Sequence, residues 1–362
     1  MRVNSIAAGA VLALSVIVVP GVAQAGPALT TVASGLDNPR GLAFGADGAL
    51  YVAEAGRGGA GPCFPGPEGE ACFGESGAVS RVTHGGVRRV VTGLPSIAAP
   101  TGRNAIGPSD VSAQGPLYFT VGLGADPARR AQLPPLAQQA SGWLLRDKHH
   151  GWRQVADVAG FEATANPDGG APDSNPQSLL GTHHGFLVAD AGGNSLVRVA
   201  PNGQLSTVAV FPDQLVDAPP FLGLPPGTKI PSQAVPTSVV RGPDGAYYVG
   251  TLTGFPFVPG TARVFRVVPG QAPTVHASGF TNIIDLAFGP NGKLYVLEIA
   301  HNGLLSGDET GALVQVSRDG TKKVVASDGL VAPGGLAIRG RSAFVSNCGT
   351  CVGTGTVVRI PL

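Results

Sequence analysis

Short apolar runs, each closed by a Gly, Asn, Asp or Pro turn, recur along this chain. The clearest set spans 283–330. Run 283–288 ends at Pro290-Asn291-Gly292, and run 294–297 ends in a polar loop. Run 312–317 ends at Asp319-Gly320, and run 322–326 closes the unit. Asn-Gly and Asp-Gly between strand-like runs direct tight hairpins. The stretch therefore reads as a four-stranded antiparallel meander.

The same order of runs repeats. The first unit reads 41–44, 50–53, 78–82 and 87–91, the second 110–112, 117–120, 142–146 and 152–158. The third reads 178–180, 186–189, 195–199 and 205–211, the fourth 238–240, 247–250, 262–267 and 273–277. The meander is the fifth. A sixth, at 335–338, 343–346 and 356–360, stops one strand short. The missing strand is at the other end, where LTTVASGL (29–36) matches VRRVVTGL (87–94), PTVHASGF (273–280) and KKVVASDGL (322–330). A landmark in the second run recurs at Tyr51, Tyr118, Leu187, Tyr248, Tyr295 and Phe344, at intervals of 67, 69, 61, 47 and 49 residues. The short intervals suit one four-stranded blade and the longer ones carry insertions. We expect an all-β, six-bladed propeller whose N-terminal strand closes the last blade.

Composition supports this reading. The 55 Gly and 32 Pro punctuate apolar runs instead of following a collagen-like period. Net charge is +1, with only 13% charged residues, and no basic block marks a nucleic-acid surface. Residues 1–25 read as a secretory signal: Arg2, an apolar stretch from Ile6 to Val19, and an Ala23-Gln24-Ala25 cleavage site. The expected mature domain is 26–362, exported and without a transmembrane segment. In that compartment the four cysteines, Cys63, Cys72, Cys348 and Cys351, are expected in disulfides. Local pairing is preferred, with two other connectivities open.

In a propeller, loops and strand ends converge on a central channel. The ends of the second strands supply Glu54, Asp190, Glu298 and Asn347. The starts of the first strands supply Arg40, Asp110, Gln177, Thr237 and Asp285. Oxygen ligands of this kind suit Ca2+ or another hard divalent cation, so Glu54, Asp190, Glu298 and Asn347 form a candidate metal set. Arg40 could neutralise these acids or orient an acidic ligand. His301, just after Glu298, is the best placed histidine for acid or base work. His183-His184 falls in a turn at the opposite end. No G-x-S-x-G elbow or phosphate-binding motif occurs.

The phrases ASGLDNPRGLAFGADGALYVAEAGRGG, GFLVADAGGNSLVRV and SRDGTKKVVASDGL resemble the ScyD/ScyE family of exported propeller-like proteins. The resemblance covers essentially the whole mature chain. It implies a TolB-like or NHL-like six-bladed fold and does not specify a reaction. Gluconolactonases are broader relatives, in which channel-mouth acids and amides hold a divalent ion. That likeness implies a metal-dependent hydrolase or lactonase as an alternative. The leading expectation is a binding module for a small molecule, glycan or protein. A structural envelope protein is a third reading.

Overall fold

The computed structural model describes residues 28–66, 69–148 and 151–362. The expected export signal, and the His149-His150 pair read as a turn between the third and fourth runs of the second unit, lie outside the described residues. The chain forms six antiparallel sheets around a central channel. From the channel outward, blade one is Pro39–Phe44, Leu50–Glu54, Gly69–Thr83 and Gly86–Ala98. Blade two is Pro108–Ser112, Tyr118–Val121, Trp143–Asp147 and Trp152–Asp157. Blade three is Pro176–Thr182, Gly185–Asp190, Ser195–Val199 and Leu205–Val210. Blade four is Pro236–Arg241, Tyr247–Thr251, Ala262–Val267 and Thr274–Phe280. Blade five is Ile283–Phe288, Leu294–Glu298, Ala312–Val316 and Lys322–Ala326.

Blade six takes three strands from the C-terminus, Gly335–Arg339, Ser342–Asn347 and Gly355–Pro361. Thr30–Leu36 is its outer strand, with Thr30 opposite Arg359 and Leu36 opposite Gly355. Each inner strand touches the inner strands of the next blades, and blade one touches blade six, so the ring is closed.

The burial pattern explains the sequence pattern. Second strands are covered on both faces and read as nearly unbroken apolar runs, as in Leu294–Glu298, where every residue is buried. Outer strands such as Lys322–Ala326 face water and carry charge. Apolar clusters fill the spaces between neighbouring blades. Leu297, Leu313, Val345 and Ile360 form one between blades five and six.

Three insertions carry more structure than their sequences suggested. The blade-one insertion is a β-arm in which Cys63–Gly66 pairs with the extended strand Gly69–Thr83. The blade-two insertion contains a 3-10 helix, Pro127–Gln132, and a short α-helix, Pro135–Ala140. The connection from blade three to blade four forms a hairpin, Gln214–Asp217 with Lys229–Ser232. Cys63 faces Cys72 across the arm and is disulfide-bonded to it, and Cys348 is bonded to Cys351, so the local pairing is the one formed. Among the described residues no helix is long and apolar enough to cross a membrane.

Candidate functional site at the channel mouth

A recurrent β-bulge builds the mouth. In blades one to five the pairing of the inner strand slips by one residue just after its first position: Pro39, Pro108, Pro176, Pro236 and Ile283. A bulge leaves one residue unpaired and re-aims it. That residue is Arg40, Ser109, Gln177, Thr237 or Ile284, and all five line one cavity of about 220 Å³.

The rest of the wall comes from residues just beyond the second strands, including Ala55, Ala191, Leu252 and Ile299, and from the loop carrying Ala105, Ile106 and Gly107. Asn175 and Val235 complete it from the inter-blade connections. Val235 has φ 54°, a left-handed conformation that costs a β-branched residue strain.

Arg40 is the one charged side chain of this wall. Its Nη2 donates to the Ala105 carbonyl at 3.0 Å. Among the described residues no carboxylate pairs with it. Burial pushes its guanidinium down to about 10. A cation held in a largely apolar wall without a counter-charge favours an incoming anion.

Asp110 and Asp285 do not share a position with Arg40, Gln177 and Thr237. They stand one residue further along, past the bulge, with Ser178 and Ser238 in blades three and four. This corrects the alignment expected from sequence. At this level each side chain accepts an N–H from the following blade. Asp110 Oδ2 accepts from Leu179 at 2.7 Å and Ser178 Oγ from Val239 at 3.2 Å. Ser238 Oγ accepts from Leu286 at 3.0 Å and Asp285 Oδ2 from Leu336 at 2.7 Å. Inner strands expose an unpaired edge to the channel, and this belt satisfies it. Blades one and six carry Gly41 and Gly335 at the same level. A Cβ on Gly41 would lie 2.1 Å from Asp110 Oδ1, and one on Gly335 would lie 2.8 Å from the Gly41 Cα. Desolvation, then the charge of Asp285, pushes Asp110 up to about 7; desolvation pushes Asp285 up to about 6.

The proposed metal set does not assemble. Glu54, Asp190, Glu298 and Asn347 each turn back onto the connection entering their own blade. Glu54 accepts the Asp37 N–H at 2.8 Å and also meets Ser80 and Arg89. Asp190 accepts from Asn175 N at 2.6 Å and from Ser174 Oγ at 2.7 Å, and burial pushes it up to about 6. Glu298 accepts from Thr281 N, and Asn347 Oδ1 from Val331 N. Their oxygens already accept from backbone N–H groups and, in Glu54 and Asp190, from side chains, and none of the four lines the mouth cavity. These residues do not fit a shared divalent ion at the mouth.

His301 does meet Glu298: its Nδ1 contacts Glu298 Oε2. The imidazole is 41% exposed and the carboxylate 3%. Along the chain His301 falls between Ile299 of the mouth wall and Asn302, which with Gly303, Leu305, Phe257 and Pro219 lines a second groove of about 390 Å³; neither His301 nor Glu298 lines either cavity itself. Leu215, Phe221, Leu224, Phe255 and Leu305 are exposed on the loops around that groove. His183 lines a separate pocket with Arg241, Gln114 and Thr182, and is not part of the mouth. Ser109, Asn175, Ile284 and the 105–107 loop were not foreseen from sequence.

No family model matches the chain, and no curated protein matches it. Solved structures do. A gluconolactonase from Xanthomonas campestris is 14% identical, covers 92% of this chain and 89% of its own, with TM-score 0.52. An alpha-L-arabinanase from Penicillium chrysogenum is 12% identical, with 92% and 99% coverage and TM-score 0.52. Virginiamycin B lyase from Staphylococcus aureus is 11% identical, with 92% and 99% coverage and TM-score 0.49. With the first two the shared property is the fold. At these identities the reaction does not transfer.

Proposed function

We propose that this protein is an exported propeller that binds a small anionic molecule at its channel mouth. The observation that carries the reading is Arg40. It stands in a cavity with apolar walls, without an acidic partner, beside the polar groups of Ser109, Asn175, Gln177 and Thr237. Its remaining N–H groups suit a carboxylate, while Ile106, Ile284, Ile299 and Leu252 suit an apolar body. Export rests on the N-terminal signal pattern and agrees with two disulfides, which persist in oxidising compartments. Membership of the ScyD/ScyE family rests on the sequence phrases that resemble it. Calorimetry with benzoate and neutral benzamide, on wild type and Arg40→Gln, tests the ligand class. Benzoate is expected to bind wild type and to lose most of its affinity in the variant. Equal binding of benzamide would overturn the anionic reading.

The His301–Glu298 pair favours a second reading, a hydrolase or lactonase acting at the adjoining groove. A buried carboxylate on Nδ1 orients the ring and leaves Nε2 for proton transfer. Chromogenic esters and lactones assayed with wild type and His301→Ala test it. Turnover equal in the two proteins would remove this reading.

A further inference from the structure

Away from the mouth, at the junction of blades two and three, the chain buries an acid without a partner. Glu162 lies on the helix Val158–Ala165 and is 1% exposed. No hydrogen bond or ion pair reaches its carboxylate among the described residues, and Oε1 is fully enclosed. Its charged neighbours are Asp190, Asp168 and Asp173, all acidic; desolvation first, then these charges, hold Glu162 up at about 7. Burying a carboxylate among like charges is costly unless something neutralises it.

Two of these neighbours are already occupied. Asp190 accepts from Ser174, Asn175 and Gly193, and Asp168 from Gly170 and Asn194. Oxygens left over are Glu162 Oε1, Asp173 Oδ1 and Asn166 Oδ1, which are three of the eight enclosed, unpartnered side-chain polar atoms among the described residues. Asn166 lies one helical turn beyond Glu162, and its N–H donates to the Glu162 carbonyl.

Gly192 and Gly193 leave a cradle beside them. A Cβ on Gly193 would lie 2.5 Å from Glu162 Oε2 and 3.5 Å from the Asp173 carbonyl oxygen. One on Gly192 would lie 2.9 Å from Asp173 Oδ1.

We propose that this cradle is a structural site for a hard divalent cation of the calcium class, held by Glu162 and Asp173 against Gly192-Gly193. Among the described residues three acidic side chains do not converge here within 4.8 Å, so the set is completed by neutral oxygens such as the Asp173 carbonyl, which meets the same Gly193 position as Glu162 Oε2. Calcium accepts such mixed, irregular oxygen sets, whereas magnesium demands a compact octahedron. The ion would neutralise Glu162 and pin the 166–175 connection, which carries Asn175 into the mouth cavity.

The test is thermal unfolding of the full chain, first freed of metal with a chelator, in calcium, magnesium and sodium chloride at equal ionic strength. Wild type is expected to gain several degrees in millimolar calcium and little in the other salts. Glu162→Gln is expected to raise Tm in chelator, by removing the buried charge, and to abolish the calcium shift. Gly193→Ala keeps every acid and fills the cradle; it should also abolish the shift, and it serves if Glu162→Gln does not fold. An unchanged Tm of wild type in calcium, or a calcium shift retained in both variants, would overturn the site. Benzoate titration at fixed calcium reads the Arg40 site separately, so the two readings can fail independently.

Discussion

Glu298 holds His301 and its own blade at once: one carboxylate oxygen meets His301 Nδ1 and the other accepts the Thr281 N–H at 2.7 Å. The two duties predict different losses. Glu298→Ala leaves a buried backbone N–H unpaired and should cost about 1–3 kcal/mol. His301→Ala removes a partly exposed ring and should stay within about 0.5 kcal/mol. Denaturant unfolding of the two variants checks this. Equal losses would mean that His301 is as much a part of the scaffold as Glu298.

The belt predicts how stability follows pH. In the unfolded chain Asp110 and Asp285 titrate near 3.8, while in the folded protein they titrate at about 7 and about 6. The folded state thus keeps its protons longer. The stability present below about pH 4 is lost progressively as pH rises and is fully lost above about 7. Glu162 and Asp190, also raised, act in the same direction. Asp308, lowered to about 2 by the Thr310 and Asn302 side chains and the Thr310 N–H, works in a window below 4, while His276, depressed by burial, opposes the trend. Both belt carboxylates remain partly open to the channel, which moderates the cost. Tm measured at constant ionic strength is expected to be lower at pH 8 than at pH 5. A profile that rises across this interval would show that the belt stays ionised throughout.

The fold was legible because its turns are written in Asn-Gly, Asp-Gly and Gly-Gly pairs, and because 29–36 carries the outer-strand pattern of other blades. The site was only half legible. Arg40, Gln177 and Thr237 do reach the mouth. Asp110 and Asp285 were set level with them because polarity, not backbone register, guided the alignment, and a bulge moves register by one without changing composition. The prolines held the missing signal: Pro39, Pro108, Pro176 and Pro236 precede the bulged position in four of the five bulged blades, and aligning on them separates the two rings. The acids ending the second strands were read as ligands because nothing in sequence distinguishes a carboxylate facing a channel from one accepting a backbone N–H.

Gly41 is set by what lies across from it. An added Cβ would stand 2.1 Å from Asp110 Oδ1 and 2.9 Å from the Asp110 Cα. A side chain could turn away, but a backbone atom cannot, so the inner strands of blades one and two would have to separate. Gly41→Ala should cost about 1–3 kcal/mol. Gly115→Ala, with nothing within 4 Å of the new atom, is the matched control and should stay within about 0.5 kcal/mol. Similar unfolding midpoints for the two variants would show that the channel can widen freely at this level.

The N-terminal strand should govern the stability of the whole ring. Thr30–Leu36 covers the strand Gly355–Pro361, and Leu36 and Ala33 pack with Leu42, Leu50 and Val52 of blade one. Without it, blade six has three strands, its outer edge is open, and the inter-blade core on that side loses one wall. Leu36→Ala, which keeps the ladder and removes a side chain only 1% exposed, should cost about 2–5 kcal/mol. A chain beginning at Asp37 should lose more, since it forfeits both the ladder and the packing, and should expose an edge prone to self-association. A synthetic peptide of residues 29–36 added in excess should restore part of the lost Tm by pairing with that edge. The comparison separates two ways of tying a ring. If the shortened chain unfolds at the same midpoint as the full one, the packing between blades one and six closes the propeller by itself and the strand is a cover.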